Sequence, residues 1–406
     1  ALHLGERVTE SKLTMWRRLE RKLPLQNTLL LGLYYNVLMA MLVRVGNLEA
    51  ARNAGQQSIS CFREEGHSYL EHFIHIHLAD IDVIEGRLRR ALRGLTAAER
   101  CLAQSGLSYG NEAEVIEVIR LAVAYERGEF VKVCDSSTRL RESLMTGDSW
   151  SELFFQLTRI CVLSKYFLEG LHSAQQEIEF FQADYVRRHA GRATTIDVLS
   201  AMVWRLEWNS AEAERYLEML AEVEMHSAVG GFLLAEQRVL LRQDEPTISD
   251  SPRAKIVSEL QMAQSQRGQA RRNSFERALR NAFKEGQIAP FLENRDALLG
   301  MSSQITSIPA FRRRPIMLRL VNKILKSVDQ SFVIPEPLRK IGFSRRQYRV
   351  VAALQGGATN KQIARQLRTT EATVKYHLTS VYRITSVSKR LELIEFMYKN
   401  RIFIEN

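Results

Sequence analysis

The chain has 406 residues, 45% of them hydrophobic and 25% charged, with only 8 Pro and 21 Gly. These proportions exclude disorder over the whole chain and speak against an all-β fold built on many tight turns; the length fits two to four domains. The net charge of +11 is segregated: residues 1–252 carry 28 Lys/Arg against 35 Asp/Glu (net −7), whereas residues 253–406 carry 29 against 11 (net +18). A sign change of this kind points to a polyanionic partner for the last third of the chain, with a basic solvated surface as the plain alternative.

The four cysteines, Cys61, Cys101, Cys134 and Cys161, lie 27–40 residues apart with no C-x-x-C. That usage fits a reducing cytoplasm and argues against a disulfide framework or a zinc ribbon. No common catalytic motif occurs, so no enzyme, cofactor or metal centre is expected. The first residue is Ala1 rather than Met, as in a processed or cut portion of a longer chain.

Leu23 to Val43 carries no charge over 21 residues and follows Arg17, Arg18, Arg21 and Lys22. A spanning helix or a signal sequence shares these features. Pro24, Gln26, Asn27, Thr28 and Asn36 interrupt the stretch, however, and no small-residue cleavage site follows it. The expectation is a buried helix of a helical array, with no membrane partner.

An internal repeat follows: Gly46-Asn-Leu-Glu-Ala-Ala51, Gly86-Arg-Leu-Arg-Arg-Ala91, Gly128-Glu-Phe-Val-Lys-Val133 and Gly170-Leu-His-Ser-Ala174, with glycines 40, 42 and 42 residues apart. A weaker copy starts at Asn209. Amphipathic helical spacing precedes each glycine, as at Val115, Ile116, Ile119, Ala122 and Val123. Glycine at such a point supplies a left-handed turn between two helices, and the small residue after it lets the next helix pack closely. A period near 40 with helix–turn–helix content predicts a tetratricopeptide-like solenoid over residues 1–241, whose groove would take a small-molecule or protein effector. His67, His72, His75 and His77 crowd one helix, where His72 and His75 at i, i+3 offer a metal pair. No cysteine is near in sequence, so partly exposed histidines are expected instead. Trp150, Trp204 and Trp208 either line the effector groove or belong to the core.

Residues 242–274 read as a polar linker, with Ile256, Val257, Leu260 and Met262 able to make one helix. Residues 275–334 read as further helices closing the array, with an amphipathic helix over 275–283, Gly286 and then Phe291-Leu-Glu-Asn. Arg312, Arg313 and Arg314 before Pro315 suggest a solvated loop, with a phosphate contact as the alternative. Ile334-Pro-Glu-Pro-Leu338 marks a stiff boundary before a last module at 335–406.

That module carries the specific signal. Ser344-x-x-Gln347 and Thr359-x-x-Gln362 are capping boxes, and Thr370 is a third N-cap before an apolar-periodic run. Gly356 and Gly357 end the first helix. Two short helices joined by Arg368-Thr369-Thr370 make a helix-turn-helix. On the third helix Val374, Leu378 and Val381 form one stripe that faces the core. The opposite face carries Ala372, Tyr376, Thr379 and Arg383, with Lys375 on its flank; this is what a recognition helix puts into the major groove. Lys375 suits guanine O6/N7 or a phosphate, and Thr359, Asn360 and Lys361 sit at a helix N-terminus that favours phosphate. A fourth helix from Ser388 to Asn400 has Leu391, Ile394 and Met397 at i, i+3, i+6, for internal packing, a dimer or both.

The segment resembles the LuxR-type (NarL-like) DNA-binding domain of bacterial transcriptional regulators. The matching residues are Asn360-Lys361-Gln362-Ile363-Ala364, Leu367, Glu371, Thr373-Val374-Lys375, His377-Leu378, Tyr382-Arg383, Val387-Ser388 and Arg390. The resemblance implies base and phosphate contact for Lys375 and phosphate contact for Lys361. The full candidate DNA-binding set is Thr359, Asn360, Lys361, Thr370, Ala372, Thr373, Lys375, Tyr376, Thr379 and Arg383. Two departures stand out. The family usually has Thr-x-Arg-Glu where this chain has Ser344-Arg-Arg-Gln347, and Leu-Gly where it has Thr385-Ser386.

The wider order of parts resembles the large activators related to the maltose-regulon activator, which combine an NTPase, a helical-repeat sensor and a C-terminal LuxR-type domain. This chain resembles the last two parts and carries no G-x-x-x-x-G-K-[S/T] loop. Either an NTPase lies upstream of Ala1, or the chain is a shorter relative. The reading is an all-α, cytoplasmic, sequence-specific regulator. It binds double-stranded DNA as a homodimer on paired half-sites, with RNA polymerase as a further partner. Effector binding is expected to release the basic module from the acidic array. The rivals are a helical-repeat adaptor for proteins and the sensor/output part of an ATP-dependent regulator.

Overall fold

The computed structural model describes residues 8–24, 26–64, 66–105, 111–146, 151–189, 194–208, 210–220, 228–242, 251–298, 314–355, 357–400 and 402–403. Every regular element among them is helical. The first twelve helices are α1 (Glu10–Glu20), α2 (Thr28–Arg44), α3 (Leu48–Glu64), α4 (Glu71–Ile84), α5 (Leu88–Ser105), α6 (Asn111–Glu126), α7 (Phe130–Thr146), α8 (Ser151–Glu169), α9 (Leu171–His189), α10 (Thr194–Leu206), α11 (Ser210–Met219) and α12 (Ala228–Arg242). From α2 to α11 they run as five helical hairpins, each joined by a short turn at the repeat position.

The turns explain the period. Gly46, Gly86, Gly128 and Gly170 all have left-handed backbones, with φ of +76°, +77°, +73° and +97°. At the first three the helix ends in a Schellman arrangement: Asn47 N–H donates to Leu42 O at 2.9 Å, Arg87 to Asp82 O at 2.7 Å and Glu129 to Ala124 O at 2.9 Å. The small residues that follow, Ala51, Ala91, Val133 and Ala174, are fully buried. In the fifth hairpin Trp208 holds the left-handed position at φ +61°. A non-glycine residue there costs about 1–3 kcal/mol. The cost is offset by burial of the indole, by its Nε1–H donating to Asp296 Oδ1 at 2.7 Å, and by stacking on Phe332. Asn209, where the sequence places the weak fifth copy, lies outside the described residues.

The stretch from Leu23 to Val43 contributes its greater part to α2, which buries Tyr34, Leu38, Met39, Met41, Leu42 and Val43 in a cluster with α3 and α4. Among the described residues no helix is long and apolar enough to cross a membrane. Trp204 and Trp208 are core residues rather than groove residues, and Trp150 lies outside the described residues.

Over its described part the segment 242–274 is no linker. α13 (Pro252–Ser265) buries Ile256, Val257, Leu260 and Ala263, and α14 (Gly268–Glu285) packs beside it. The polar composition misleads because Arg253 is itself a core residue. Its guanidinium reaches Glu126 at 2.9 and 3.1 Å and also pairs with Glu293, while Tyr125 OH donates to Glu293 Oε1 at 2.6 Å. Buried charges persist only when paired and hydrogen-bonded in this way.

The later helices, including α15 (Ala289–Glu293) and α16 (Pro315–Gln330), run along the edge of the array that carries the repeat turns. Arg253 N–H donates to Glu85 O at 3.1 Å, Ile288 N–H to Glu126 O at 2.7 Å and Arg295 Nη2 to Leu206 O at 2.8 Å. A Cβ at Gly86 would meet Arg253 N at 3.0 Å and Gln287 Nε2 at 2.5 Å, so close approach and left-handed backbone both demand glycine there. Arg314 is exposed at the start of α16, while Arg312 and Arg313 lie outside the described residues. One contiguous core then extends from the array through these helices into the last module.

Candidate nucleic-acid interface

The last module comprises α17 (Glu336–Lys340), α18 (Arg345–Ala352), α19 (Asn360–Gln366), α20 (Glu371–Thr385) and α21 (Arg390–Lys399). Both capping boxes form. Gln347 N–H donates to Ser344 Oγ at 3.3 Å while Ser344 N–H donates to Gln347 Oε1 at 2.7 Å; Thr359 and Gln362 repeat the pattern at 3.3 and 2.7 Å. Thr370 caps α20, accepting from Thr373 N–H at 3.1 Å, and its hydroxyl lies 2.8 Å from that of Thr373. The connecting turn closes with Arg368 at φ +51° and Thr369 N–H on Ala364 O at 2.9 Å. These bonds fix where α19 and α20 begin and the angle between them.

α20 divides as its periodicity predicts. Val374, Leu378 and Val381 are buried, whereas Ala372, Lys375, Tyr376, Thr379 and Arg383 are exposed. Tyr376 is 71% exposed, which is unusual for so large a ring and leaves its face and hydroxyl free to meet a ligand. From Ala372 to Arg383 this face runs roughly 16 Å along the helix axis, comparable to the width of a major groove. Among the described residues Lys361, Lys375 and Arg383 pair with no carboxylate. His377, on the flank, is held below its ordinary pKa by partial burial and by the charge of Arg346, so it adds a neutral ring near pH 7.

The sequence-derived set falls at the starts of α19 and α20 and along the exposed face of α20, with differences in role. Lys361 and Thr359 are exposed at the start of α19. Asn360 is half-buried, and its Oδ1 accepts from Arg390 Nη1 at 3.2 Å. Arg390 also bonds Ala358 O, so it ties α21 to the start of α19. Thr359 and Thr370 use hydroxyl lone pairs on caps, and the Thr373 hydroxyl pairs with that of Thr370, which orients these groups.

Both departures from the family pattern have structural accounts. Gln347 closes its capping box and donates Nε2–H to Ser380 Oγ on α20 at 2.9 Å, a bond that an ionised glutamate could not donate. Thr385 is buried with its hydroxyl satisfied by Val381 O at 2.8 Å, and Ser386 takes the left-handed cap at φ +56°. The fourth helix differs from expectation. Leu393 and Met397 face the core, Ile394 is half-buried and Leu391 is 72% exposed, so the predicted stripe splits between inside and outside.

Sequence reasoning missed how the module sits. Tyr348 of α18 is buried with its hydroxyl 3.4 Å from Glu207 Oε2, and Glu207 Oε1 accepts from Tyr166 OH at 2.7 Å. Asp329 bridges Arg345 and Arg349 at 2.9 Å each, and Phe332 lies between the guanidinium groups of Arg295 and Arg349 at 3.9 Å each. Arg368 donates to Gln264 O at 2.6 Å. The array thus grips the module through α18 and the turn, and the exposed face of α20 stays uncovered. Among the described residues the acid–base contacts to the module lie in that grip and not on the exposed face of α20.

Within this module the four helices α18–α21, with α20 offering an exposed basic and aromatic face, have the arrangement of a helix-turn-helix unit. Residues 342–397 match the family described as bacterial regulatory proteins, luxR family. These residues therefore form a LuxR-family helix-turn-helix domain, which supports binding to double-stranded DNA and a role in transcription regulation. No curated protein and no solved structure matches the chain.

Proposed function

We propose that the protein is a sequence-specific transcription regulator in which the helical-repeat array senses an effector and the C-terminal module reads duplex DNA in the major groove. The observation that carries this reading is the uncovered face of α20, with Lys375, Tyr376, Thr379 and Arg383 exposed beside the LuxR-family match. Lys375 contacts a base edge or a phosphate, Lys361 and the first turn of α19 contact phosphate, and Tyr376 packs on the groove wall. Exposed Leu391 suits a homodimer on paired half-sites. RNA polymerase is a further partner and the cytoplasm the expected compartment. The division we favour is 1–241 for the sensor, with α13, α14 and the helices up to 334 closing it and 335–406 binding DNA.

Effector binding acts by shifting the grip on α18. A change in the array around Glu207 and Asp329 alters how the module is held, without uncovering a masked face. The test is the transcript profile of cells carrying Lys375→Glu beside wild type and a deletion. The reading expects Lys375→Glu to reproduce the deletion; a wild-type profile would favour the adaptor, whose function does not need this lysine.

A further inference from the structure

We propose that Glu71, His75 and Cys101 form a binding site for a thiophilic divalent metal ion of the zinc type. Glu71 and His75 are one turn apart on α4, and Cys101 faces them from the neighbouring α5. One ligand atom from each lies within 4.8 Å of the other two. His75 Nε2 and Glu71 Oε2 are already 3.6 Å apart. Tetrahedral zinc with ligand bonds of about 2.0–2.3 Å sets its donors roughly 3.3–3.6 Å from one another. Closure therefore needs about an ångström of side-chain movement, which the half-buried His75 and Cys101 supply toward the buried Glu71.

The donor chemistry is selective. Thiolate, imidazole and carboxylate together suit zinc and its neighbours rather than magnesium or calcium. Three protein ligands leave a fourth position for water. His75 binds through the lone pair of the neutral imidazole. Cys101 binds as the thiolate, exchanging its proton for the ion and releasing that proton to solvent. Arg63 holds Glu71 in a fork, with contacts of 2.8–3.1 Å to both carboxylate oxygens. Oε2 accepts two of these bonds and Oε1 one, so Oε1 keeps a lone pair for the ion. The histidine pair suggested by sequence is not the site: the converging group contains His75 and not His72. The fold supplies the cysteine that local spacing could not.

The experiment is a cobalt(II) titration of the reduced, metal-free full chain, followed by absorbance. A thiolate-to-cobalt charge-transfer band in the near ultraviolet is expected, bleached on adding zinc. Cys101→Ser should lose that band, Cys61→Ser should keep it, and His75→Gln should weaken cobalt binding at least 10-fold, with unchanged helical circular dichroism in each. No band from wild type at millimolar cobalt, or a band that survives Cys101→Ser, would overturn the site.

Discussion

At the scale of the residue, the exposed cations divide by what they can touch. Lys375 lies on the face of α20, so Lys375→Ala should cost about 1–3 kcal/mol of affinity for the protein's own site and relax the sequence preference. Lys361 sits at a helix start, so Lys361→Ala should weaken specific and random DNA alike and lower the salt slope by about one. Fluorescence anisotropy across a salt series separates the two. Asp197 offers an independent test of the array. It is half-buried, accepts from Gln182 Nε2 at 2.7 Å, and its carboxyl is pushed up to about 6 by burial. A raised carboxyl binds its proton more tightly folded than unfolded. It therefore destabilises the fold above pH 6, and the penalty disappears below the unfolded value near 4. Asp197→Asn keeps the oxygen that Gln182 needs and should add about 1 kcal/mol at pH 7.5, discounted for partial exposure, and nothing at pH 4. Urea midpoints at both pH values measure it.

At the scale of the element, what the sequence made legible is what local chemistry encodes. The repeat glycines, the two capping boxes and the buried stripe of α20 each rest on contacts within a few residues, and each is present. Trp208 in a glycine position, Leu393 as the inward residue of α21 and the buried Arg253 were not legible. Each is decided by a partner far along the chain: Asp296 and Phe332, the module core, and Glu126 with Glu293. Two substitutions test the turns. Ser386→Gly should stabilise by about 0.5–1 kcal/mol, because serine holds a left-handed backbone there. Gly86→Ala should cost about 2 kcal/mol or more, since strain adds to a collision with Arg253 N and Gln287. Thermal unfolding of the full chain reads both.

At the scale of the whole molecule, the basic last third is not a tethered tail. Charge segregation and the motif pointed to the last module as the DNA-binding part, but the docking of α18 could not be read because Tyr348 and Glu207 are 141 residues apart. Glu207→Ala removes the acceptor of two buried tyrosine hydroxyls and should destabilise by about 2–4 kcal/mol, with hydrogen exchange over 343–354 rising first. Asp329→Ala, in a largely exposed pair, should cost under about 1 kcal/mol. The central claim is that the uncovered face of α20 reads DNA sequence. Its most direct test is selection of genomic fragments by the full chain, wild type beside Lys375→Glu, at about 0.15 M salt to suppress random binding. The account predicts a shared motif enriched by wild type and lost in the variant. Equal enrichment of the same motif by both proteins would contradict it.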